Sequence, residues 1–78
     1  MKVIKELEHQ GIKITIFQWN NKYLLKYETR DFEQTYKIPQ TEVFDENELV
    51  NLAINNSTLE NVISNFKNMS AVLDVFLS

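Results

Sequence analysis

The chain holds a single histidine, His9, three residues after Glu6 and next to Glu8, the one place where an imidazole and carboxylates come together. Such a trio could ligate a metal, or serve as the base of a nucleophilic site with a hydroxyl brought from elsewhere. Extended-chain geometry opposes both uses. Successive residues of a strand point to opposite sides, so Glu6 and Glu8 share a face that His9 does not. A second acidic run, Asp45-Glu46-Asn47-Glu48, resembles the start of a calcium loop, but Val50 and Asn56 stand where that loop needs its glycine and its last acidic ligand. Asp45 followed three residues later by Glu48 reads instead as a helix N-cap. One glycine cannot build a phosphate cradle, and no cysteine is present to supply a thiolate. The residues point to no catalytic, cofactor or metal site, and the chain reads as a binding protein rather than an enzyme.

What the residue types do offer is a contact surface. Phe17, Trp19 and Leu24 fall on one side of two alternating runs, with Lys13, Lys22 and Lys26 on the same side and Lys37 nearby. Large apolar groups gathered on a face that should be wet mark a place where something docks. Ile4 is expected to join them.

The elements that would position this surface follow from periodicity. Ile12 to Trp19 and Lys22 to Glu28 alternate with period two and meet at Asn20-Asn21, two residues that tolerate the left-handed backbone of a type I′ hairpin turn. That loop sets Trp19 opposite Lys22, Phe17 opposite Leu24, Ile16 opposite Leu25 and Ile14 opposite Tyr27. One face then carries Ile12, Ile14, Ile16, Tyr23, Leu25 and Tyr27, and a slip of one residue would push three isoleucines into water.

Val3 to Glu8 reads as a preceding strand, with Val3, Lys5 and Leu7 on one face and Ile4, Glu6 and Glu8 on the other. A turn at Gln10-Gly11 puts Glu8 opposite Lys13 and Leu7 opposite Ile14. Phe32 to Ile38 alternates again with Phe32, Tyr36 and Ile38 inward, and Pro39 closes it. Its turn is centred on Thr29-Arg30 or on Arg30-Asp31. The first sets Lys26 against Glu33 and the second sets Glu28 against Glu33, so charge favours the first.

Beyond Pro39 the period changes. Asp45 caps a short helix through Leu49, Val50, Leu52, Ala53 and Ile54, ended by Asn55-Asn56. Ser57-Thr58-Leu59-Glu60 repeats the capping pattern, and Leu59, Val62, Ile63, Phe66, Met69, Leu73, Phe76 and Leu77 keep helical spacing for about five turns. The expected fold class is α+β: a four-stranded antiparallel meander followed by two helices packed on one sheet face, β-β-β-β-α-α, in one domain spanning residues 1–78.

Composition bounds the rest. At 78 residues the core is small, and self-association is a common remedy for that. No apolar run approaches the roughly 20 residues of a membrane span, and the charged N-terminus is unlike a signal peptide, so a soluble, cytoplasmic protein without a membrane partner is expected. The first 38 residues carry seven cations against five carboxylates, and the last 40 carry one against six. The strand half is therefore mildly basic and the helical half acidic.

Three partners fit this pattern. A second copy could pack on the outer sheet face in a homo-oligomer. Another protein, basic in character, could meet the acidic helices. Single-stranded nucleic acid could stack on the aromatics, but the overall acidity, the near absence of arginine and the missing RNA-recognition motifs make it the weaker reading.

Overall fold

A computed structural model describes residues 1–42 and 45–77. Four strands, β1 (Lys2–His9), β2 (Ile12–Trp19), β3 (Lys22–Glu28) and β4 (Glu33–Pro39), form one antiparallel sheet in the order β1-β2-β3-β4. A single 3-10 turn (Gln40–Glu42) leads towards two helices, α1 (Glu46–Ala53) and α2 (Asn56–Leu77). The architecture is thus the α+β meander with two following helices that the periodicity implies.

Turn chemistry fixes the register of the first three strands. Gln10 and Gly11 have φ of 54° and 80°, Asn20 and Asn21 have 55° and 65°, and these are the positive angles that two-residue hairpin loops demand. Leu7 accordingly pairs with Ile14, Glu8 with Lys13, Phe17 with Leu24, and Trp19 with Lys22. Parity then sends Ile12, Ile14, Ile16, Tyr23, Leu25 and Tyr27 to one face, where they are buried together with Leu49 and Ala53 of α1 and Leu59, Val62 and Phe66 of α2.

Two polar groups fasten the helices to this face. The Tyr27 hydroxyl donates to the Ala53 carbonyl at 2.7 Å, capping the end of α1, and Gln34 Nε2 donates to the Val62 carbonyl at 2.9 Å. Burial, reinforced by the neighbouring Tyr36, pushes the Tyr27 phenol up to about 12.

Three local expectations are corrected. A β-bulge between Val3 and Lys5 inserts an extra residue, so Val3 pairs with Phe17 on the outer face while Ile4 packs against the core. Ile4 therefore does not join the outer aromatics. The turn before β4 is centred on Arg30-Asp31, with Glu28 opposite Glu33, and not on the alternative that charge favoured. The like-charge pair is tolerated because Lys26 reaches both carboxylates, at 3.7 Å and 3.6 Å. This register also leaves Phe32 free to pack beside Phe66, with ring centroids 6.5 Å apart.

The third correction concerns α2. Asn55, not Ser57, caps it: the Asn55 side chain accepts from the Ser57 N–H at 2.8 Å and its carbonyl accepts from Leu59 N–H at 2.9 Å, so the helix starts earlier. Asp45 does cap α1, accepting from the Glu48 N–H at 2.8 Å.

Helix length has a consequence at the other end. Twenty-two residues extend about 33 Å, whereas seven or eight strand residues cover about 23–27 Å. Phe66 and Lys67 already lie beside Ile12 and Phe32, at the sheet end holding the Gly11 and Asp31 turns. The last two turns therefore overhang, and Val72, Val75, Phe76 and Leu77 are exposed, Phe76 by 78%. Among the described residues, no helix is long and apolar enough to cross a membrane.

Candidate functional site

The outer face of the sheet can be read as four rows of paired residues. Nearest the Asn20-Asn21 turn lie Trp19, Lys22 and Pro39. The next row holds Val3, Phe17, Leu24 and Lys37, the third Glu6, Thr15, Lys26 and Thr35, and the last Glu8, Lys13, Glu28 and Glu33. The face is therefore polarised along the strands, apolar at one end and charged at the other.

Phe17, Trp19 and Leu24 are together, as their spacing requires. Trp19 is 51% exposed, and Val3, placed beside Phe17 by the bulge, is 53% exposed; Phe17 and Leu24 are half-buried. The bulge is what sequence reasoning missed here. A strand reading KVIKELEH without a clean alternation is its only signal.

The lysines divide into two kinds. Lys13 lies 3.3 Å from Glu6, and Lys26 is held between Glu28 and Glu33, so both belong to the charged end and have local partners. Lys22 and Lys37 flank the apolar end and form no ion pair among the described residues. Thr15, in the centre of the face, is buried beneath its longer neighbours.

His9 ends β1 opposite Ile12, on the inner side, away from Glu6 and Glu8. Among the described residues no three His, Asp or Glu side chains gather as a metal would need. Two clefts open between sheet and helices, of about 460 Å³ beside Tyr36 and Ile38 and about 370 Å³ beside Ile12 and Phe32. Neither is lined by His9 or by a carboxylate. The first is edged by a small polar network in which Tyr36 donates to Gln34 Oε1, and Asn65 Nδ2 lies 3.3 Å from the Tyr36 oxygen.

No protein-family model, curated protein or solved structure matches this chain. What the arrangement can do is therefore argued from its own chemistry: a half-exposed indole, three smaller apolar groups and two free ammonium groups on a rigid sheet surface form a contact patch.

A second apolar area lies on the overhang of α2. The sequence pattern assigned Leu73, Phe76 and Leu77 to the packed stripe, but they run past the end of the sheet, Leu73 half-buried and the other two exposed. Comparing helix length with strand length is the signal that would have found this.

Proposed function

We propose that the chain is a small protein-interaction module of the cytoplasm that self-associates through the outer face of its sheet, with Trp19 and Phe17 anchoring the apolar end of the contact. The single observation carrying this reading is the row Val3-Phe17-Leu24 beside Trp19, an apolar area on a face that no described helix covers.

The face is complementary to itself. About a two-fold axis parallel to the strands, β2 of one copy lies over β3 of the other. Phe17 then meets Leu24 of the second copy, Trp19 meets Lys22 in a cation-π arrangement, and Lys13 meets Glu28, each contact occurring twice. The footprint is about 19 by 23 Å from strand spacing and rise, at the small end for a specific interface, so a dissociation constant in the tens of micromolar, about −6 kcal/mol, is expected.

Sedimentation at about 100 μM tests it. Trp19→Asp should lower the average mass relative to the wild type while leaving the folded spectrum unchanged. Equal masses for the two proteins would remove the face contact.

A second reading has one observation in its favour: Lys22 and Lys37 are unpaired beside Trp19 and Phe17, as a single-stranded nucleic acid would use them. Four carboxylates at the far end of the same face, and net charge −3, weigh against it. Titration of Trp19 fluorescence with an oligothymidylate at low salt separates the two. Quenching that is lost at high salt and weakened in Phe17→Ala supports nucleic acid; an unchanged signal leaves the protein contact.

A further inference from the structure

We propose that the free edge of β4 is a second self-association surface, distinct from the outer face, where β4 of another copy pairs antiparallel about a two-fold axis through Thr35. The sheet order leaves two edges, β1 and β4. The β1 edge is broken by its bulge, a common protection against strand addition, whereas β4 pairs with β3 without interruption from Pro39 to Glu33.

The hydrogen-bond phase of β4 is fixed at both ends. Thr29 N–H donates to the Phe32 carbonyl at 2.9 Å, and Gln40 N–H donates to the Asn21 carbonyl at 3.2 Å. Antiparallel ladders alternate, so Gln34, Tyr36 and Ile38 bond to β3, and Glu33, Thr35 and Lys37 turn their N–H and C=O groups to the open edge. Pro39, next in that outward series, is a residue that edges tolerate because its missing N–H would have faced solvent. No turn, loop or cap hydrogen bond among the described residues uses the backbone of Glu33, Thr35 or Lys37.

These outward residues are self-complementary. With Thr35 opposite Thr35 of the second copy, Glu33 falls opposite Lys37 and Lys37 opposite Glu33, and all three are hydrogen-bonded pairs that exchange two bonds each. On the helix side the same register sets Gln34 opposite Tyr36 twice. A shift of two residues in one direction brings Glu33 opposite Pro39, which has no N–H to give. The opposite shift leaves Glu33 facing Thr35 and abolishes both Glu33–Lys37 pairs. One register therefore satisfies backbone and charge together.

The axis is normal to the sheet, so both copies keep their helices on the same side. The cleft of about 460 Å³ between Tyr36, Ile38 and α2 opens next to this edge, and Tyr36 is 40% exposed there. Pairing brings the second copy's Tyr36 and α2 against that opening, which adds apolar burial to the ladder.

The test uses the Trp19→Asp protein, in which the face contact is removed, so the two surfaces are read separately. At about 100 μM it should still dimerise. Adding Lys37→Glu should weaken that dimer by about tenfold, since two like-charge pairs replace two opposite ones. Adding Glu33→Lys as well restores opposite charges and should return affinity to within about threefold of the starting protein.

Amide exchange supplies a readout that a general loss of fold would not mimic. Thr35 and Lys37 should gain protection as concentration rises, while Gln34 and Tyr36 are protected throughout. A monomeric Trp19→Asp protein, failure of the charge swap to restore pairing, or concentration-independent exchange at Thr35 overturns the proposal.

Discussion

The inner and outer faces of the sheet are made by the same four strands, yet they are organised along different directions. The inner face is uniform: Ile14, Ile16 and Tyr27 are wholly buried and their neighbours nearly so, from one end of the hairpin to the other. The outer face changes character along the strands, from Trp19 and Phe17 at the Asn20-Asn21 end to interlocked carboxylates and lysines at the Gly11 end. Parity produces the first, because a residue facing the helices must be apolar or, like Gln34, find a buried hydrogen-bond partner. The second depends on where each residue sits along its strand, which burial does not dictate.

The sharpest way to break this comparison is to remove matched groups from the two faces. Ile14→Ala should cost about 2–5 kcal/mol, a large part of the roughly 4–12 kcal/mol expected for a chain of this length. Trp19→Ala should change stability by less than about 1 kcal/mol. Urea midpoints measure both, and a comparable loss for Trp19 would mean that the outer face is structural.

Tyr27→Phe comes next, at about 1–2 kcal/mol, because the Ala53 carbonyl loses its donor at the end of α1. This residue also gives the inner face a pH signature. In the unfolded chain the phenol ionises near roughly pH 10, and in the fold it holds its proton to about 12. The folded state therefore binds more protons between those values. Its contribution is constant below pH 10 and falls as pH rises to 12, by about 2–3 kcal/mol. That alkaline loss should be shallower in Tyr27→Phe. Substitution of Trp19 should leave it unaltered.

Asn21→Val tests the link between the faces. A β-branched residue at a φ of 65° should cost about 1–2 kcal/mol, and Asn21→Gly should be nearly neutral. The Asn21 carbonyl accepts from the Gln40 N–H at 3.2 Å, a backbone bond that the substitution does not itself remove. Loss of the turn acts through the register, so both stability and self-association should fall together in Asn21→Val.

Much of this was legible from residue order. The Asn20-Asn21 and Gln10-Gly11 loops, with isoleucines on one parity, fixed the pairing of β1 to β3 because each independent cue agreed. What was not legible were features decided by competition between neighbours. The bulge moved Val3 outward and Ile4 inward because Ile4 had core to reach, a gain that strand alternation does not register. Gln34 lies on the inward parity but was passed over as polar; its burial depends on the Val62 carbonyl, 28 positions away. The contact patch around Trp19 was visible as residue types, but not the division of the lysines into Lys13 and Lys26, held by carboxylates, and Lys22 and Lys37, left free.

The β4 turn shows most clearly why pairwise charge rules mislead, and it yields the smallest effect. Cross-strand opposition predicts that Glu28 should avoid Glu33, yet the two are paired. The competing register, offset by two residues, keeps every residue on its face but slides Gln34 from Tyr27 to Leu25 and Tyr36 from Leu25 to Tyr23, away from the Val62 carbonyl and the Asn65 side chain that they meet, a larger loss than an exposed ion pair returns. Lys26, two pairs along the ladder and in the adjacent row of the outer face, then lies near both carboxylates, at 3.7 Å and 3.6 Å, and offsets their repulsion. Lys26→Ala should therefore destabilise by about 0.5–1 kcal/mol at low salt and by less at high salt, since screening weakens the exposed repulsion. Glu33→Gln in the Lys26→Ala background should recover most of the loss. If it recovers nothing, the lysine contributes through its aliphatic stem over Thr15 and not through its charge.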